Sequence, residues 1–569
     1  MKKKSCLHAV AVLIAMVFLA TLFNGCGSSN KKEKTVKEFE EFIKAYEAKV
    51  IPLFHEYNLA SWNAQISGKD ADYKKSADLQ YKFNLIYSNK DDFAKLKMFK
   101  ESGAFTDSMQ LREITILYNS YCGNQYDTAK LRKIIDQESA IEKKFNTFRT
   151  VVGKDSLSDN QVDDILLKST DSKKLEATWI ASKKSGENVA ADVIKLVKLR
   201  NEEAKTLGFK NYHEMSLELS EQDPKEIEKL FDQLDSLTKD AFAKLKDEVD
   251  EYFAKRYNIK KEELMPWHYQ NRFFQDAPKI YDIDLDKYYK GKDIVKIVED
   301  YYKSMGMDIT DMAKKSDLLE KPGKYQHAQC GDMDKDGDIR VMASIKDNEY
   351  WMGTLLHEFG HAVYDKYIDR SMPFTLRDPA HIFTTEAVAE MFGRFSSNPQ
   401  WIKDMIGISD KEKAEVEDKI NKNLRLQQMV FSRWSQVMYR FEKALYENPD
   451  QDLNNLWWTL VEKYQLMKRP KDRNQPDWAS KIHLVTSPCY YHNYLMGELL
   501  ASQMYYYVTE KVLKSTDFKN QSFANKPEAG KFFMEKIFKP GTKYYWNDMI
   551  EKATGEKLTA KYYAKQFVN

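Results

Sequence analysis

Hydrophobic residues recur at spacings of three and four along most of this chain, which is the pattern of amphipathic helices. Asp223-Pro224 is typical of a helix start, because an aspartate can cap the helix and proline is tolerated in its first turn. The apolar face that follows consists of Ile227, Leu230, Leu234, Leu237, Phe242, Leu245 and Val249. Residues 35–57 repeat the pattern, with Phe39, Phe42, Ile43, Tyr46, Val50, Leu53 and Phe54 on one face. The periodicity predicts a mainly helical protein.

The clearest strand pattern lies at residues 339–345 (IRVMASI), just before another helical segment. The apolar positions of that segment are Met352, Leu355, Leu356, Phe359, Ala362 and Val363. A second amphipathic helix is predicted after the turn-like residues 377–379, with Thr384-Thr385 as its cap. We therefore expect a very small β-sheet beside a buried helix.

Residues 357–361 of the buried helix read HEFGH. His357 and His361 lie on one helical face, so both imidazoles can reach one ion, and Glu358 lies beside it, where a carboxylate can take a proton from water. Catalytic zinc takes three protein ligands. No metzincin-type third histidine follows, so we expect one Zn²⁺ per chain with Glu386 as third ligand. Glu390, one turn later, would orient a ligand histidine. The alternative for both acids is an ordinary solvated helix face.

Composition excludes several classes of function. The chain has 89 basic and 87 acidic residues, a formal net charge of +2 and no basic stripe, so no nucleic-acid partner is expected. No internal repeat, Gly-rich phosphate loop or CxxC pair is evident, and no protein partner is obvious. Beyond the N-terminal segment, Cys122, Cys330 and Cys489 allow at most one disulfide, so the fold must be stabilised by burial.

The N-terminal residues have the pattern of an export signal. Lys2-Lys3-Lys4 precede a mostly apolar stretch from Leu7 to Phe23, and Gly25-Cys26 follow. This pattern predicts a lipoprotein signal peptide at 1–25 and a lipidated Cys26. Residues 26–34 then form a polar tether, and the protein is held at a membrane by its lipid, outside the cytoplasm. The alternatives are an uncleaved anchor and a plain secretory signal.

Together these motifs resemble the angiotensin-converting enzyme, or peptidyl-dipeptidase A, family and its bacterial relatives. Residues 357–390 resemble the zinc segment of that family, and residues 457–465 (WWTLVEKYQ) are similar to its double-tryptophan helix. Lys481-Ile482-His483, Pro488 and the run 491–494 (YHNY) match a further segment, with one extra residue between the His and the Tyr. The resemblance covers most of the chain. It implies a two-lobed, all-helical zincin with a deep central cleft, formed by a single catalytic domain at 35–569.

The resemblance also implies roles for individual residues. Tyr494 and His483 would stabilise the oxyanion that forms when water attacks the scissile carbonyl. Three residues would bind the C-terminal carboxylate of the substrate, namely Lys481, Tyr491 and Gln270. His327-Ala328 resembles the His-Ala pair with which the family holds the substrate backbone just before the strand. Each side chain taken singly is also compatible with an ordinary structural position.

Three positions depart from the family pattern. Asn493 and Val461 replace the arginines of the chloride-responsive members, so chloride activation is not expected. Glu498 stands where the family usually has an aromatic pocket residue. A carboxylate at this position predicts a preference for basic side chains at the end of the substrate.

The leading hypothesis is a lipid-anchored zinc peptidase that releases dipeptides from the C-termini of peptides. One alternative is an oligoendopeptidase-like enzyme of the thimet type, which cuts peptides internally. A second alternative is a helical surface lipoprotein that binds nutrients without catalysis. Glu358 argues against the second alternative, because a structural zinc site needs no base.

Overall fold

The computed structural model describes the backbone of residues 4–568 and the side chains of residues 30–127 and 129–568. Helices make up 69% of the chain, which confirms the mainly α fold. Two compact units are present, one of Met1–Gln125 with Arg370–Leu376 and one of Tyr126–Asp369 with Arg377–Asn569. The signal peptide at 1–25 and the lipidated Cys26 lie outside the described side chains. The tether at 26–34 and the single catalytic domain at 35–569 remain predictions.

None of the helices in the described part of the chain is both long and apolar enough to cross a bilayer.

The first unit is a group of helices that share an aromatic core. Its helices are α1 Lys4–Ser67, α2 Asp70–Tyr87, α3 Lys90–Glu101 and α4 Ser108–Cys122, with a short 3₁₀ turn at Phe374–Leu376. The predicted periodicity of residues 35–57 is confirmed, because Phe39, Tyr46 and Val50 are buried in this core. Asp107 caps α4 by accepting hydrogen bonds from the backbone of the first turn.

The second unit carries all the remaining helices of the described chain. They are α5 Thr128–Thr147, α6 Asp159–Lys168, α7 Ser172–Thr206, α8 Tyr212–Leu219, α9 Pro224–Tyr257, α10 Asp286–Tyr289, α11 Ile294–Ser304, α12 Thr310–Lys315, α13 Glu349–Tyr367, α14 Ile382–Gly393, α15 Pro399–Trp401, α16 Asp410–Glu447, α17 Leu453–Gln465, α18 His483–Thr486, α19 Tyr491–Tyr507, α20 Pro527–Phe532, α21 Trp546–Thr554 and α22 Lys561–Phe567. Short 3₁₀ turns lie at Lys261–Glu263, Pro266–His268, Arg394–Ser397 and Asp477–Ser480, and π-helical turns at Ile402–Ile406, Val508–Val512 and Phe533–Phe538.

Helix α9 begins where the sequence predicts. The Asp223 side chain accepts hydrogen bonds from the backbone of Lys225 and Glu226, and the helix starts at the following proline. Its predicted apolar face is buried except at Leu237, which is exposed. The face is therefore narrower at that position than the sequence pattern indicates.

Two antiparallel two-stranded sheets complete the unit. The predicted strand is present as β4 Ile339–Met342, which pairs with β3 Gln329–Asp332 in the register Gln329↔Met342. It ends before residues 343–345, which the pattern had included. A second pair, β1 Thr150–Val152 with β2 Asp155–Leu157, was not predicted, because such short strands leave little alternation in the sequence.

Candidate metal centre and active site

Helix α13 carries the HEFGH segment. Asn348 caps this helix by accepting a hydrogen bond from the backbone of Trp351. The predicted apolar face is buried at Met352, Leu355, Leu356, Phe359, Ala362 and Val363, which fixes the rotation of the helix. His357 and His361 consequently share one side, with ring centroids 4.9 Å apart.

The donor atoms of His357, His361 and Glu386 converge on one point. The two Nε2 atoms lie 3.2 Å apart, and Glu386 Oε2 lies 3.7 Å from His357 Nε2 and 3.9 Å from His361 Nε2. Ligands placed about 2.0–2.1 Å from zinc at tetrahedral angles are themselves separated by about 3.4 Å. The two imidazoles and one carboxylate therefore fit a zinc ion. Among the residues that the structure describes, these three form the one group of His, Cys, Asp and Glu side chains close enough together to hold a metal.

Helix α14 positions the carboxylate ligand and also orients one imidazole. His361 Nδ1 lies 2.7 Å from Thr385 Oγ1, a hydrogen bond that leaves Nε2 directed at the site. Glu390, predicted to orient a ligand histidine, has Oε1 3.9 Å from His357 Nδ1, which is longer than a hydrogen bond. The contact with Thr385 was missed by the sequence analysis. The available signal was a threonine within a predicted helix, because a buried hydroxyl needs a partner.

The predicted threonine cap of α14 is wrong. The helix begins at Ile382, and His381 is the cap, whose side chain accepts a hydrogen bond from the backbone of Phe383. Thr384 and Thr385 lie inside the first turns of the helix. Because the helix begins earlier than predicted, Thr385 is a buried helical residue whose hydroxyl can reach His361 of α13.

Gly360 allows α13 and α14 to approach each other closely. A Cβ at this position would lie 2.9 Å from Ala389 Cα, so any larger residue would separate the helices. Gly393 has a similar role, because its Cβ would lie 3.3 Å from His357 Cβ. The distances between the donor atoms thus depend on backbone contacts between the two helices.

Glu358 is buried beside this group, with 7% of its surface exposed. The pKa of its carboxyl is raised to about 7, mainly by burial and also by the nearby charge of Glu386, whereas His357 and a hydrogen bond from the backbone of Cys330 act in the opposite direction. Cys330 belongs to β3, so the small sheet holds the carboxyl in place. A carboxyl with a pKa near neutrality can both accept and return a proton.

Several of the residues expected to act on the substrate line one cavity of about 350 Å³. Glu386 is in its wall, and so are four residues predicted from the C-terminal part of the sequence, Lys481, His483, Tyr491 and Tyr494. Three aromatic rings make this wall continuous, since the ring centroid of Tyr491 lies 5.5 Å from that of His483 and 5.4 Å from that of Tyr494. The cavity is large enough for part of a small peptide.

Lys481 and Tyr491 are neighbours in this wall, with the ammonium nitrogen 5.6 Å from the centroid of the Tyr491 ring. Lys481 Nζ donates a 2.6 Å hydrogen bond to Gln275 Oε1, and burial lowers the pKa of its ammonium to about 8. The hydroxyl of Tyr491 accepts a 2.6 Å hydrogen bond from Trp434 Nε1, which leaves its own proton for another acceptor. An ammonium and a phenol directed into one cavity can bind a carboxylate.

His483 and Tyr494 line the same cavity, and Tyr494 lies close enough to Glu386 for its charge to be felt. Burial lowers the pKa of His483 to about 4, so the ring is neutral at pH 7, and within the described residues its Nδ1 is buried without a hydrogen-bond partner. Burial followed by the charge of Glu386 raises the pKa of Tyr494, so its hydroxyl keeps its proton. A protonated phenol can donate to a developing oxyanion.

Gln270 is not brought to this cavity. Its side-chain amide donates to the Leu167 carbonyl at 3.2 Å and accepts from the Lys279 backbone at 2.9 Å, so it stabilises a loop. Gln275 occupies the place beside Lys481 that was predicted for Gln270. The signal available in the sequence was weak, because the segment between them has no periodicity.

His327 and Ala328 lie directly before β3, as expected. The His327 side chain is exposed, and its ring centroid lies 5.3 Å from that of Tyr325. The backbone of Cys330 in β3 donates a hydrogen bond to Glu358. His327 and Ala328 therefore extend β3 at its start, on the strand that contacts the expected catalytic base.

Three departures from the family pattern have a structural account. Glu498 is paired with Arg394 and accepts a 3.0 Å hydrogen bond from Gln428 Nε2. Its carboxylate is therefore already neutralised, which removes the basis for the expected preference for basic side chains. Asn493 accepts a 2.7 Å hydrogen bond from Gln222, and Val461 is buried in α17.

Comparison with known proteins places these features in a wider context. A family model described as angiotensin-converting enzyme matches residues 33–567. The angiotensin-converting enzyme of Mesocricetus auratus is 23% identical over 274 residues, which cover 46% of this chain and 20% of that protein. The protein of the same name from Mus musculus is 22% identical over 391 residues, covering 64% of this chain and 29% of its own length. The matched regions thus span less than a third of each relative.

Proposed function

Because the chain belongs to the angiotensin-converting enzyme family, we propose that it is a zinc metallopeptidase that hydrolyses oligopeptides. The observation that carries this proposal is the convergence of His357, His361 and Glu386, whose donor atoms all lie within 4.8 Å of one another. Zinc held there would supply a Lewis acid that polarises the scissile carbonyl and makes water more acidic.

The residues around these ligands supply the remaining steps. Glu358 takes a proton from the attacking water and delivers it to the leaving amine, for which a pKa of about 7 is well suited. Tyr494 and His483 donate to the oxyanion, and a neutral His483 can do so through an N–H. The β3 edge, which follows His327-Ala328, aligns the extended substrate backbone.

The proposed cleavage position is two residues from the C-terminus of the substrate. Lys481, held by Gln275, and Tyr491 supply an ammonium and a hydroxyl to the same cavity that Glu386 and Tyr494 line. A free C-terminal carboxylate bound at Lys481 places a peptide bond near the metal ligands. The products are then a dipeptide and a shortened peptide.

The deciding experiment compares two kinds of loss. His361→Ala should lower both zinc content, measured by inductively coupled plasma mass spectrometry, and peptidase activity. Glu358→Gln should keep zinc and lose turnover on the order of a hundredfold or more, because general-base help has that magnitude. A Glu358→Gln variant that cleaves peptides at nearly the wild-type rate would refute the assignment of the base.

For location we propose a lipid-anchored, extracytoplasmic protein. The support is the sequence pattern of residues 1–26, with Gly25-Cys26 at its end. Cys26→Ser should abolish lipid attachment, detected by metabolic labelling with a fatty acid, and leave precursor or released protein. Wild-type protein found wholly in the cytosol would contradict the proposal.

A further inference from the structure

The chain bends sharply between His483 and Tyr491. Helix α18 is a single turn, and the chain turns at Pro488 and Cys489 before α19 begins at Tyr491. Cys489 has a φ of 55°, in the left-handed region that a non-glycine residue adopts only when its surroundings impose it. The bend therefore determines the distance and orientation of His483 relative to Tyr491.

Arg200 satisfies the backbone carbonyls that the bend exposes. In a continued helix the carbonyl of Leu484 would accept from residue 488, but Pro488 has no N–H. The guanidinium of Arg200, which is 2% exposed, donates instead to Leu484 O at 3.2 Å and to Val485 O at 2.7 Å. One side chain of α7 thus replaces two hydrogen bonds of an interrupted helix.

Glu442 has the complementary role on the other side of the bend. In a continued helix the N–H of Cys489 would donate to the Val485 carbonyl, which Arg200 now occupies. This N–H donates instead to Glu442 Oε1 at 2.8 Å. Glu442 is 3% exposed and belongs to α16. Two buried side chains from two different helices therefore hold the two sides of the same bend, one by donating hydrogen bonds and the other by accepting one.

Arg200 is itself fixed from two further elements. It donates to Glu138 Oε1 of α5 at 2.7 Å and to the Tyr446 hydroxyl of α16 at 2.9 Å. Each terminal nitrogen of the guanidinium thus donates once to the bend and once to another helix, so the planar group links the bend to α5 and α16.

We infer that Arg200 and Glu442 are positioning residues, which set the geometry between Lys481 and His483 before the bend and Tyr491 and Tyr494 after it. This inference rests on the proposed function, because it assumes that the residues before and after the bend act on the same bound peptide. Neither residue touches the substrate. Their loss should disturb carboxylate binding and oxyanion stabilisation together, since both depend on how the bend is closed.

The test uses matched peptides with a free or an amidated C-terminus, and measures kcat and KM for each. The wild type should prefer the free acid. In Arg200→Met, kcat for the free acid should fall by about tenfold to a hundredfold, the size of effect expected when reacting groups are misplaced. The preference for the free acid should shrink at least several-fold. Arg200→Lys keeps the charge but reaches fewer acceptors, so it should recover part of both losses.

Two further comparisons separate positioning from simple stability. Glu138→Gln removes the carboxylate partner of Arg200 but no bond to the bend, so it should change thermal stability and leave the acid preference intact. Glu442→Gln keeps an oxygen that can accept from Cys489, whereas Glu442→Leu does not. Only the leucine variant should show the combined loss.

The outcomes are distinguishable. A wild type that cleaves no peptide refutes the proposed function. An active wild type with Arg200→Met folded, loaded with zinc and unchanged in both kcat and acid preference refutes the inference. If Arg200→Met does not fold, Arg200→Lys and the Glu442 pair decide, and an acid preference equal to wild type in Arg200→Lys and Glu442→Leu also refutes it.

Discussion

His361 and Thr385 form a hydrogen bond between neighbouring helices, with Nδ1 and Oγ1 2.7 Å apart. The bond assigns the two ring nitrogens of His361 different tasks, since Nδ1 faces the hydroxyl and Nε2 faces the metal ligands. Such contacts fix the tautomer and the ring orientation of a ligand histidine. Glu386, the proposed carboxylate ligand, is the next residue in the chain, so α14 would both supply one ligand and align another.

Replacing Thr385 by valine should weaken zinc binding. The substitution keeps the shape of the side chain but removes the hydroxyl, and losing such a partner typically costs tenfold to a hundredfold in metal affinity. Competition with a chelator of known affinity measures the change. Thr384→Val is the matched control, because the Thr384 hydroxyl bonds to the His381 carbonyl and not to a ligand. Equal affinities in the two variants would contradict the role of Thr385.

Lys481→Met should raise KM for peptides with a free C-terminus. The ammonium contributes an ionic hydrogen bond worth roughly 1.5–3 kcal/mol, so we expect an increase of about tenfold to a hundredfold. Amidated peptides lack the carboxylate and should show little change. If acid and amide peptides lose equally in steady-state kinetics, Lys481 does not bind the terminal carboxylate.

The ionisation of Lys481 predicts that kcat/KM for free-acid peptides depends on pH. Burial lowers the pKa of Lys481 to about 8, so its ammonium is charged below that pH and neutral above it. For free-acid peptides, kcat/KM should therefore fall as pH rises through about 8, and KM should increase. Lys481→Arg should move this fall to higher pH, because a guanidinium stays charged there. A profile that is identical for acid and amide peptides would exclude Lys481 as its origin.

Tyr494→Phe should lower kcat on the order of a hundredfold with KM nearly unchanged, because the lost hydroxyl acts only after charge has formed on the carbonyl oxygen. Tyr490→Phe is a suitable control, since the ring of Tyr490 lies against Tyr494 with centroids 5.1 Å apart. Single-turnover measurements separate chemistry from product release. A loss confined to KM would assign Tyr494 to substrate binding.

His213 should make the fold sensitive to acid. Burial lowers its pKa to about 3, whereas an unfolded histidine titrates near its ordinary value. As pH falls below about 6.5, the unfolded chain binds a proton that the folded chain excludes, so the free energy of unfolding decreases until about pH 3.

At pH 5 the titration of His213 should lower the free energy of unfolding by about 2 kcal/mol. His213→Phe keeps an aromatic ring against Tyr439 and cannot titrate. Its free energy of unfolding should therefore decrease less between pH 7 and pH 5 than that of the wild type, measured by urea denaturation. Loss of zinc at low pH affects both proteins and cancels in the comparison. If the free energies of unfolding of the two proteins decrease equally between pH 7 and pH 5, the prediction is contradicted.

The sequence predicted those features that depend on local periodicity. The apolar face of α13 places His357 and His361 on one side, and this could be deduced because helical geometry repeats every few residues. Gln270 shows where such reasoning ends. It lies in an irregular segment with a φ of 60°, and nearby Phe274 has a φ of 51°. Without a repeating geometry, the pattern could not show that Gln275, and not Gln270, faces Lys481.

Contacts between elements were also beyond the sequence pattern. The bond from Thr385 to His361 needs the distance between two helices, and the bonds from Arg200 to residues 484 and 485 join segments far apart in the chain. Leu237 fits the helical repeat of α9, yet it is exposed. Periodicity indicates which side of a helix is apolar, but the width of the buried stripe depends on what packs against it.

The contact of Gly360 with Ala389 has a consequence for how an ion would be acquired. Main chain lies against main chain there, and this kind of contact has no rotamers through which it could adjust. The spacing of the donors is therefore established when the two helices pack, before any ion arrives. A preformed site of this kind favours ions that accept its donor geometry, and the metal can be exchanged without refolding of the polypeptide.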